Sequence, residues 1–119
     1  MTFIDVLANS INGESTKGTK TMHIVIAPFR PKQGVTEDVM LATSDDFDEQ
    51  FVRKQDGILK RILVKDGDGG YADIVFFQDA AAIDRVVEAE QNSEVCAAFF
   101  AMIEDEDHPH IYEALKTYE

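Results

Sequence analysis

The stretch that decides the fold comprises residues 57–90 and reads GILKRILVKDGDGGYADIVFFQDAAAIDRVVEAE. Two apolar runs enclose residues 66–70, DGDGG, whose glycines supply the positive backbone angles of a tight hairpin, and a helical pattern follows. Because side chains alternate along a strand, both predicted strands are apolar on both faces. In the first strand, one predicted face carries Ile58, Ile62 and Val64 and the other carries Leu59 and Leu63. In the second strand, one face carries Val75 and Phe77 and the other carries Ala72, Ile74 and Phe76. Such a sheet needs a cover on each face.

The size of the chain limits what can provide these covers. Its 119 residues amount to one domain, with enough helical sequence to cover one face of the sheet. The other face packs most economically against a second copy of the chain. Apolar residues make up 45% of the sequence and charged residues 29%, as in globular proteins. The sequence therefore predicts a homodimer that pairs through its sheets.

The acidic charge excludes several partners. A formal net charge of −12 and a sequence pI near 4.5 argue against nucleic acids and anionic membrane surfaces, since both repel such a chain. No run of about 18 apolar residues is present for a membrane span. The first residues, MTFIDVLANSINGE, have no basic lead and are a poor secretory signal, so we expect a cytoplasmic protein. The single cysteine, Cys96, lies in an apolar helical pattern that favours a buried packing residue over a nucleophile.

Local signals divide the chain into an appendage and a core. Residues 1–21 are predicted to form a short helix and a linker, because three apolar residues at helical spacing precede a polar, glycine-containing stretch. Residues 22–119 are predicted to form the core domain. Its first strand runs from Met22 to Phe29 and is expected to stop at Pro28 and Pro31, because proline cannot donate to a sheet ladder.

Three helices are predicted in the core domain. Each helix is predicted to begin at a residue whose side chain can cap it, namely Thr36, Asp79 and Ser93. Gly57 suits a left-handed turn at the end of the first helix. An acidic loop over 104–110 then precedes a last segment, HIYEALKTY, which we interpret as a strand, with a helix as the alternative. The order βαββαβ predicts an α+β, ferredoxin-like fold with a four-stranded antiparallel sheet and helices on one face.

Three segments carry a resemblance to a known family: DGILKRIL at 56–63, GYADIVFF at 70–77 and the helix opening QDAAA at 78–82. The chain from about Met22 onward resembles the dimeric α/β-barrel superfamily, and specifically antibiotic-biosynthesis-monooxygenase (ABM) domains. This resemblance implies that two sheets pair across a twofold axis into a barrel. Members of the superfamily oxygenate aromatic polyketides without a cofactor, degrade haem or isomerise lactones. The chain has no Trp, which disfavours haem degradation, and no family catalytic set can be carried over.

The candidate site residues are polar or aromatic side chains in apolar strands. We select His23, Tyr71 and Asp73 as catalytic candidates, and Arg61 and Phe77 as substrate-binding candidates. A histidine with a carboxylate partner can act as a general base on a phenol or an acidic carbon. Phe77 stands where ABM domains often have tryptophan.

The favoured alternative for these polar residues is structural. His23 would cap the end of its strand, and Asp73 would pair with Lys60 or Arg61 across the hairpin. His108 and His110 form an H-x-H pair beside acidic residues, a spacing that can hold a metal, yet a solvated loop is favoured and no metal is predicted. The glycines at 67–70 match neither a phosphate-binding nor a calcium-binding motif.

Two functions of different class fit these observations. The first is a cofactor-independent monooxygenase that acts on a small apolar or aromatic substrate. The second is a non-catalytic homodimer that binds a small ligand or serves as an interaction module. An open pocket with convergent polar groups favours the first, and a filled core favours the second.

Overall fold

A computed structural model of the protein describes residues 21–106 and 109–118. The predicted helix and linker at the amino terminus fall outside this range, apart from residue 21. The elements are β1 (His23–Pro31), α1 (Glu37–Gln50), a 3-10 turn (Val52–Lys54), β2 (Ile58–Lys65), β3 (Tyr71–Phe77), α2 (Ala80–Glu90), α3 (Glu94–Ala101), β4 (Ile103–Glu106) and β5 (His110–Glu113). None of the described helices is both long and apolar enough to cross a membrane.

The described strands form one antiparallel sheet in the order β2-β3-β1, with β4 and β5 both paired to the far edge of β1. This is the ferredoxin-like order with its last strand in two pieces, so the α+β prediction is confirmed. The predicted extent of that strand was wrong. Pairing begins at Ile103, directly before the predicted acidic loop, and includes residues of that loop, and the strand ends at Glu113.

The first strand passes through Pro28, which corrects the predicted stop there, and ends at Pro31, as predicted. β4 pairs with β1 from Phe29 onward, β5 pairs with it as far as Ile26, and Pro28 lies in the gap between them. A residue without an N–H is tolerated in a strand where the neighbouring ladder is already interrupted. Pro31 lies at the strand end, beside a shift of register.

The predicted side-chain caps and the β2–β3 hairpin are confirmed, but Gly57 does not cap α1, which ends at Gln50 and is followed by the 3-10 turn. Thr36, Asp79 and Ser93 each accept a hydrogen bond from a backbone N–H three residues on, at 3.2, 2.9 and 3.2 Å. Gly57 has φ of +98°, and a Cβ there would lie 2.5 Å from the Cβ of Ala82. Glycine is therefore required where the chain enters β2 against α2.

A bulge at Leu59 changes the predicted faces of β2. The register shifts between Ile58 and Lys60, and Leu59 is 58% exposed. Ile58 consequently packs with the helix-side core, whereas the sequence placed it with Ile62 and Val64. The extra residue reverses the alternation, because two residues of β2 oppose one of β3 at this point.

The sheet has two apolar faces, as predicted. The helix-side face contributes alternate residues to a core shared with the helices, including Val25, Phe29 and Phe77. That core also contains Cys96, which is fully buried, and burial raises the pKa of its thiol to about 12. The opposite face, termed the open face, lies outside this core. Its apolar members are Ile24, Ile26, Pro28, Ile62, Val64, Ala72, Ile74 and Phe76, and Lys60, which pairs with Phe76, lies on the same face in the edge strand β2.

Candidate functional site

A cavity of about 40 Å³ lies between the helices and the sheet. Most of its walls are apolar and aromatic, and three charged or titratable side chains reach it, Arg61, Asp73 and Glu90. The remaining lining residues are Val25, Phe47, Phe51, Val52, Ile58, Val75, Phe77, Val86 and Phe100. An apolar chamber with a few convergent polar groups is the usual form of a small-molecule site.

Arg61 and Asp73 form a two-pronged ion pair inside the protein. Arg61 Nε donates to Asp73 Oδ1 at 2.9 Å, and Nη2 donates to Oδ2 at 3.2 Å. The two side chains are only 7% and 10% exposed. They lie diagonally across the β2–β3 ladder, where Asp73 is directly opposite Leu63. The sequence alternative that paired Asp73 with Arg61 is therefore correct, although the pair is buried.

The surroundings of the pair fix the guanidinium in place. Nη2 of Arg61 also donates to Ser44 Oγ at 2.9 Å, and the guanidinium carbon lies 4.8 Å from the ring centroid of Phe47. Burial raises the pKa of the Asp73 carboxyl, and the charge and hydrogen bonds of Arg61 oppose that rise. A buried ion pair contributes little net stability, so its presence beside a cavity points to a role in binding or chemistry.

Glu90 is a site residue that the sequence analysis missed. It is the last residue of α2 and is 7% exposed, and its Oε1 has no hydrogen-bond partner within the described part of the chain. Burial, and then the charge of Asp73, raise the pKa of Glu90 to about 8. The available signal was periodicity, because Glu90 follows Ile83 by seven residues on the apolar face of the helix.

Arg61 also borders a second space on the outside of the protein. A polar surface cleft of about 440 Å³ is lined by Ser44, Asp45, Asp48, Glu49, Arg53, Arg61 and Leu63. Arg61 is common to this cleft and to the interior cavity. A molecule that moves from the cleft into the cavity would therefore pass the Arg61 side chain.

Of the five predicted site residues, Arg61, Asp73 and Phe77 line the cavity, and His23 and Tyr71 do not. His23 Nδ1 lies 2.7 Å from the carbonyl oxygen of Thr21, at the strand end. His23 pairs with Phe77 and Asp73 with Ala27, so about 13 Å of strand separates the two candidates. The hydroxyl of Tyr71 donates to Glu37 Oε1 at 2.9 Å near the surface.

The structure describes only one residue, His110, of the H-x-H pair that could hold a metal. His108 lies outside the described residues. Within residues 21–106 and 109–118, no three His, Cys, Asp or Glu side chains come together in a way that could hold a metal ion.

Comparisons with solved structures identify the fold. A candidate antibiotic biosynthesis monooxygenase from Chloroflexus aurantiacus superposes with a TM-score of 0.66 at 13% identity, over 83% of this chain and 98% of that one. SnoaB, a cofactor-independent oxygenase from Streptomyces nogalater, gives 0.63 at 15% identity, over 82% and 96%. NE2512, a protein of unknown function from Nitrosomonas europaea, gives 0.60 at 18% identity, over 86% and 97%.

No family model and no curated protein matches the sequence. The structural matches show that the chain has the fold of antibiotic-biosynthesis-monooxygenase-like proteins, which the sequence resemblance predicted. The same fold occurs in an oxygenase and in a protein of unknown function, so activity has to be argued from the site.

Proposed function

We propose that this protein is a homodimeric, cofactor-independent oxygenase that acts on a small apolar or aromatic molecule bound beside the Arg61–Asp73 pair. The observation that carries the proposal is the interior cavity, whose aromatic walls surround a buried ion pair and an unpartnered carboxyl oxygen. Its fold, shared with the oxygenase SnoaB, supports the same activity.

The proposed reaction converts an acidic ring CH₂ group and dioxygen into a ring carbonyl and one water. The substrate supplies the four electrons, one oxygen atom enters the carbonyl and the other leaves as water. Asp73 takes the proton from the substrate, and Arg61 stabilises the negative charge that develops in this poorly solvated site. Phe77 and the neighbouring rings hold the substrate by apolar contact.

The size of the cavity limits how a ring can bind. A cavity of about 150 Å³ accepts benzene, whereas this one measures about 40 Å³. A wall must therefore move. Phe100 is only half-buried and also borders a second cavity of about 10 Å³, so displacement of its ring would join the two spaces.

The experiment is dioxygen uptake with 2-tetralone and with anthrone, two aromatic ketones of different size that carry an acidic ring CH₂ group. We expect uptake by the wild type, and a fall of about a hundredfold or more in Asp73→Asn, because general-base catalysis contributes at least that much. Asp38→Asn changes an exposed residue on α1 and is the matched control. Asp73→Glu, which keeps a carboxylate, should retain part of the activity.

Uptake no faster than in the absence of protein, with both ketones, would overturn the oxygenase proposal. The catalytic roles of His23 and Tyr71 stay predictions. Neither residue is among the described residues that line the cavity. We therefore expect their alanine variants to lose less activity than the Asp73 variant.

The homodimer is part of the proposal. The open face is apolar over three strands, and its members on β1, β2 and β3 lie outside the helix-side core. A continuous apolar face of this kind marks a protein contact, and the same face on a second copy is the simplest cover. The single cysteine and the acidic charge suit the cytoplasm, which we propose as the compartment.

A second function is favoured by the small volume of the cavity. An interior cavity of about 40 Å³ suits a non-catalytic homodimer that binds a molecule of a few atoms. The dioxygen assay separates the two functions, because such a dimer binds its ligand without consuming dioxygen.

A further inference from the structure

We infer that Glu90 is the ligand-recognising residue of the cavity, and that it selects an uncharged molecule with a hydrogen-bond-accepting oxygen. The inference rests on the proposed function and deepens it. It adds to the Arg61–Asp73 pair a hydrogen-bond donor for the ligand's carbonyl oxygen.

The geometry of Glu90 supports a binding role. Its side chain lines the cavity and is buried, and Oε1 makes no hydrogen bond to the described residues. Buried polar atoms in native proteins are almost always paired, and an unpaired one costs stability. A ligand or water in the cavity is the partner that this oxygen lacks.

The neighbouring groups determine the charge of the carboxyl. Asp73 on β3 and Cys96 on α3 are close enough to Glu90 for the ionisation of each to influence that of Glu90. Arg61 on β2 already donates hydrogen bonds to Asp73 and Ser44. From α1, Asp48 Oδ1 approaches Arg61 Nη1 at 3.8 Å, and β1 contributes Val25 to the lining. No cation among these groups is left over for an ionised Glu90.

Glu90 is therefore protonated at neutral pH, in agreement with a pKa of about 8. Its carboxylic O–H can donate to an oxygen of the ligand. When Asp73 removes a proton from the ligand carbon, negative charge moves to that oxygen, and the Glu90 hydrogen bond strengthens without transfer of its own proton.

The same groups exclude charged ligands. An anion would find no free cation among the described residues of the cavity, because Arg61 is paired with Asp73, and in the surface cleft three carboxylates face Arg53 and Arg61. A cation would require Glu90 to ionise. The cavity at neutral pH therefore suits a neutral ketone or a similar small molecule.

Three probes of nearly equal size test the inference, namely acetone, acetate and isopropylamine. Their binding is measured by NMR titration of the isotope-labelled protein at pH 6 and pH 9.5. We expect the wild type to bind acetone at pH 6 and to lose about tenfold or more in affinity at pH 9.5, because Glu90 then loses its donor. Acetate should not bind at either pH.

Two variants separate recognition from folding. Glu90→Gln keeps an N–H donor that does not titrate, so it should bind acetone equally at both pH values. Glu90→Leu keeps the shape but has no donor, and it should lose acetone binding while its amide spectrum stays dispersed.

Four results would overturn the inference: no acetone binding by the wild type, equal binding by Glu90→Leu, binding of acetate, or binding of the isopropylammonium cation at pH 6, where Glu90 is neutral. Dioxygen uptake is a separate readout. Glu90-dependent acetone binding without dioxygen uptake would refute the oxygenase alone, and uptake that is unchanged in Glu90→Leu would refute the inference alone.

Discussion

A single carboxyl group lies on the apolar face of α2 and, in the proposed site, selects the ligand. Glu90 occupies the position that would continue the buried row of Ile83 and Val87, and it has no charge partner within the described residues. A hydrophobic residue there would stabilise the fold, so the glutamate costs stability that a ligand-binding role explains. The apolar periodicity of α2 could have indicated this burial, which is the main cause of the raised pKa of Glu90, but not the second cause, the charge of Asp73, which lies 17 residues earlier in the sequence.

Glu90→Gln should make stability less dependent on pH. The folded-state pKa of about 8 exceeds the ordinary value of 4.5, so the folded state binds more protons between these values and stability falls as the pH rises. The Gln variant lacks this loss. Its stability relative to the wild type should grow by about 1.4 kcal/mol for each pH unit between pH 5 and pH 8.

Urea unfolding at several pH values measures this difference. Glu88→Gln removes an exposed glutamate from the same helix and is the matched control. If the free energies of unfolding of Glu90→Gln and the wild type differ by a constant amount across this range, Glu90 does not hold its proton in the folded protein.

At the scale of elements, caps and hairpins could be predicted and register could not. The caps at Thr36, Asp79 and Ser93 are local, because each side chain bonds a backbone group three residues away. The bulge at Leu59 has no local signal, since Ile58 and Leu59 are both apolar and neither is marked as the outward residue. The bulge nevertheless sets which residues of β2 face the helices, Arg61 among them.

Gly57→Ala should destabilise the protein more than Gly34→Ala. Both glycines have positive φ, at +98° and +92°, so the backbone strain is shared. Only at Gly57 would the added Cβ meet another atom, 2.5 Å from the Cβ of Ala82, whereas nothing lies within 4 Å of the corresponding position at Gly34. We expect an extra loss of about 1–3 kcal/mol from overpacking.

The difference is measured by urea unfolding of the two variants side by side. Equal losses would mean that the contact between the start of β2 and α2 is not tight.

At the scale of the whole molecule, the two apolar faces of the sheet have different roles. One face and the helices enclose the cavity, and the open face is available to a second copy. The two-sided apolar pattern of the hairpin was enough to predict this arrangement, because periodicity in a strand reports burial directly. The pattern could not show how much space is left inside, since cavity volume depends on how the side chains of seven elements pack.

Phe76→Glu should convert the proposed dimer to a monomer. Phe76 lies on the open face opposite Ile24, and a buried charge without a partner at a dimer contact is strongly unfavourable. Leu59→Glu places the same charge on the exposed bulge and should leave the dimer intact. Light scattering at micromolar concentration gives the masses directly, and a wild-type mass equal to that of one chain would refute the dimer.

The most direct test of the proposed function is the origin of the oxygen atom in the product. The protein is incubated with anthrone under ¹⁸O-labelled dioxygen, and the product is analysed by mass spectrometry immediately after quenching. The proposal predicts one labelled atom in the new carbonyl and formation that depends on Asp73. A product without the label, or equal amounts of labelled product with and without the protein, would contradict it.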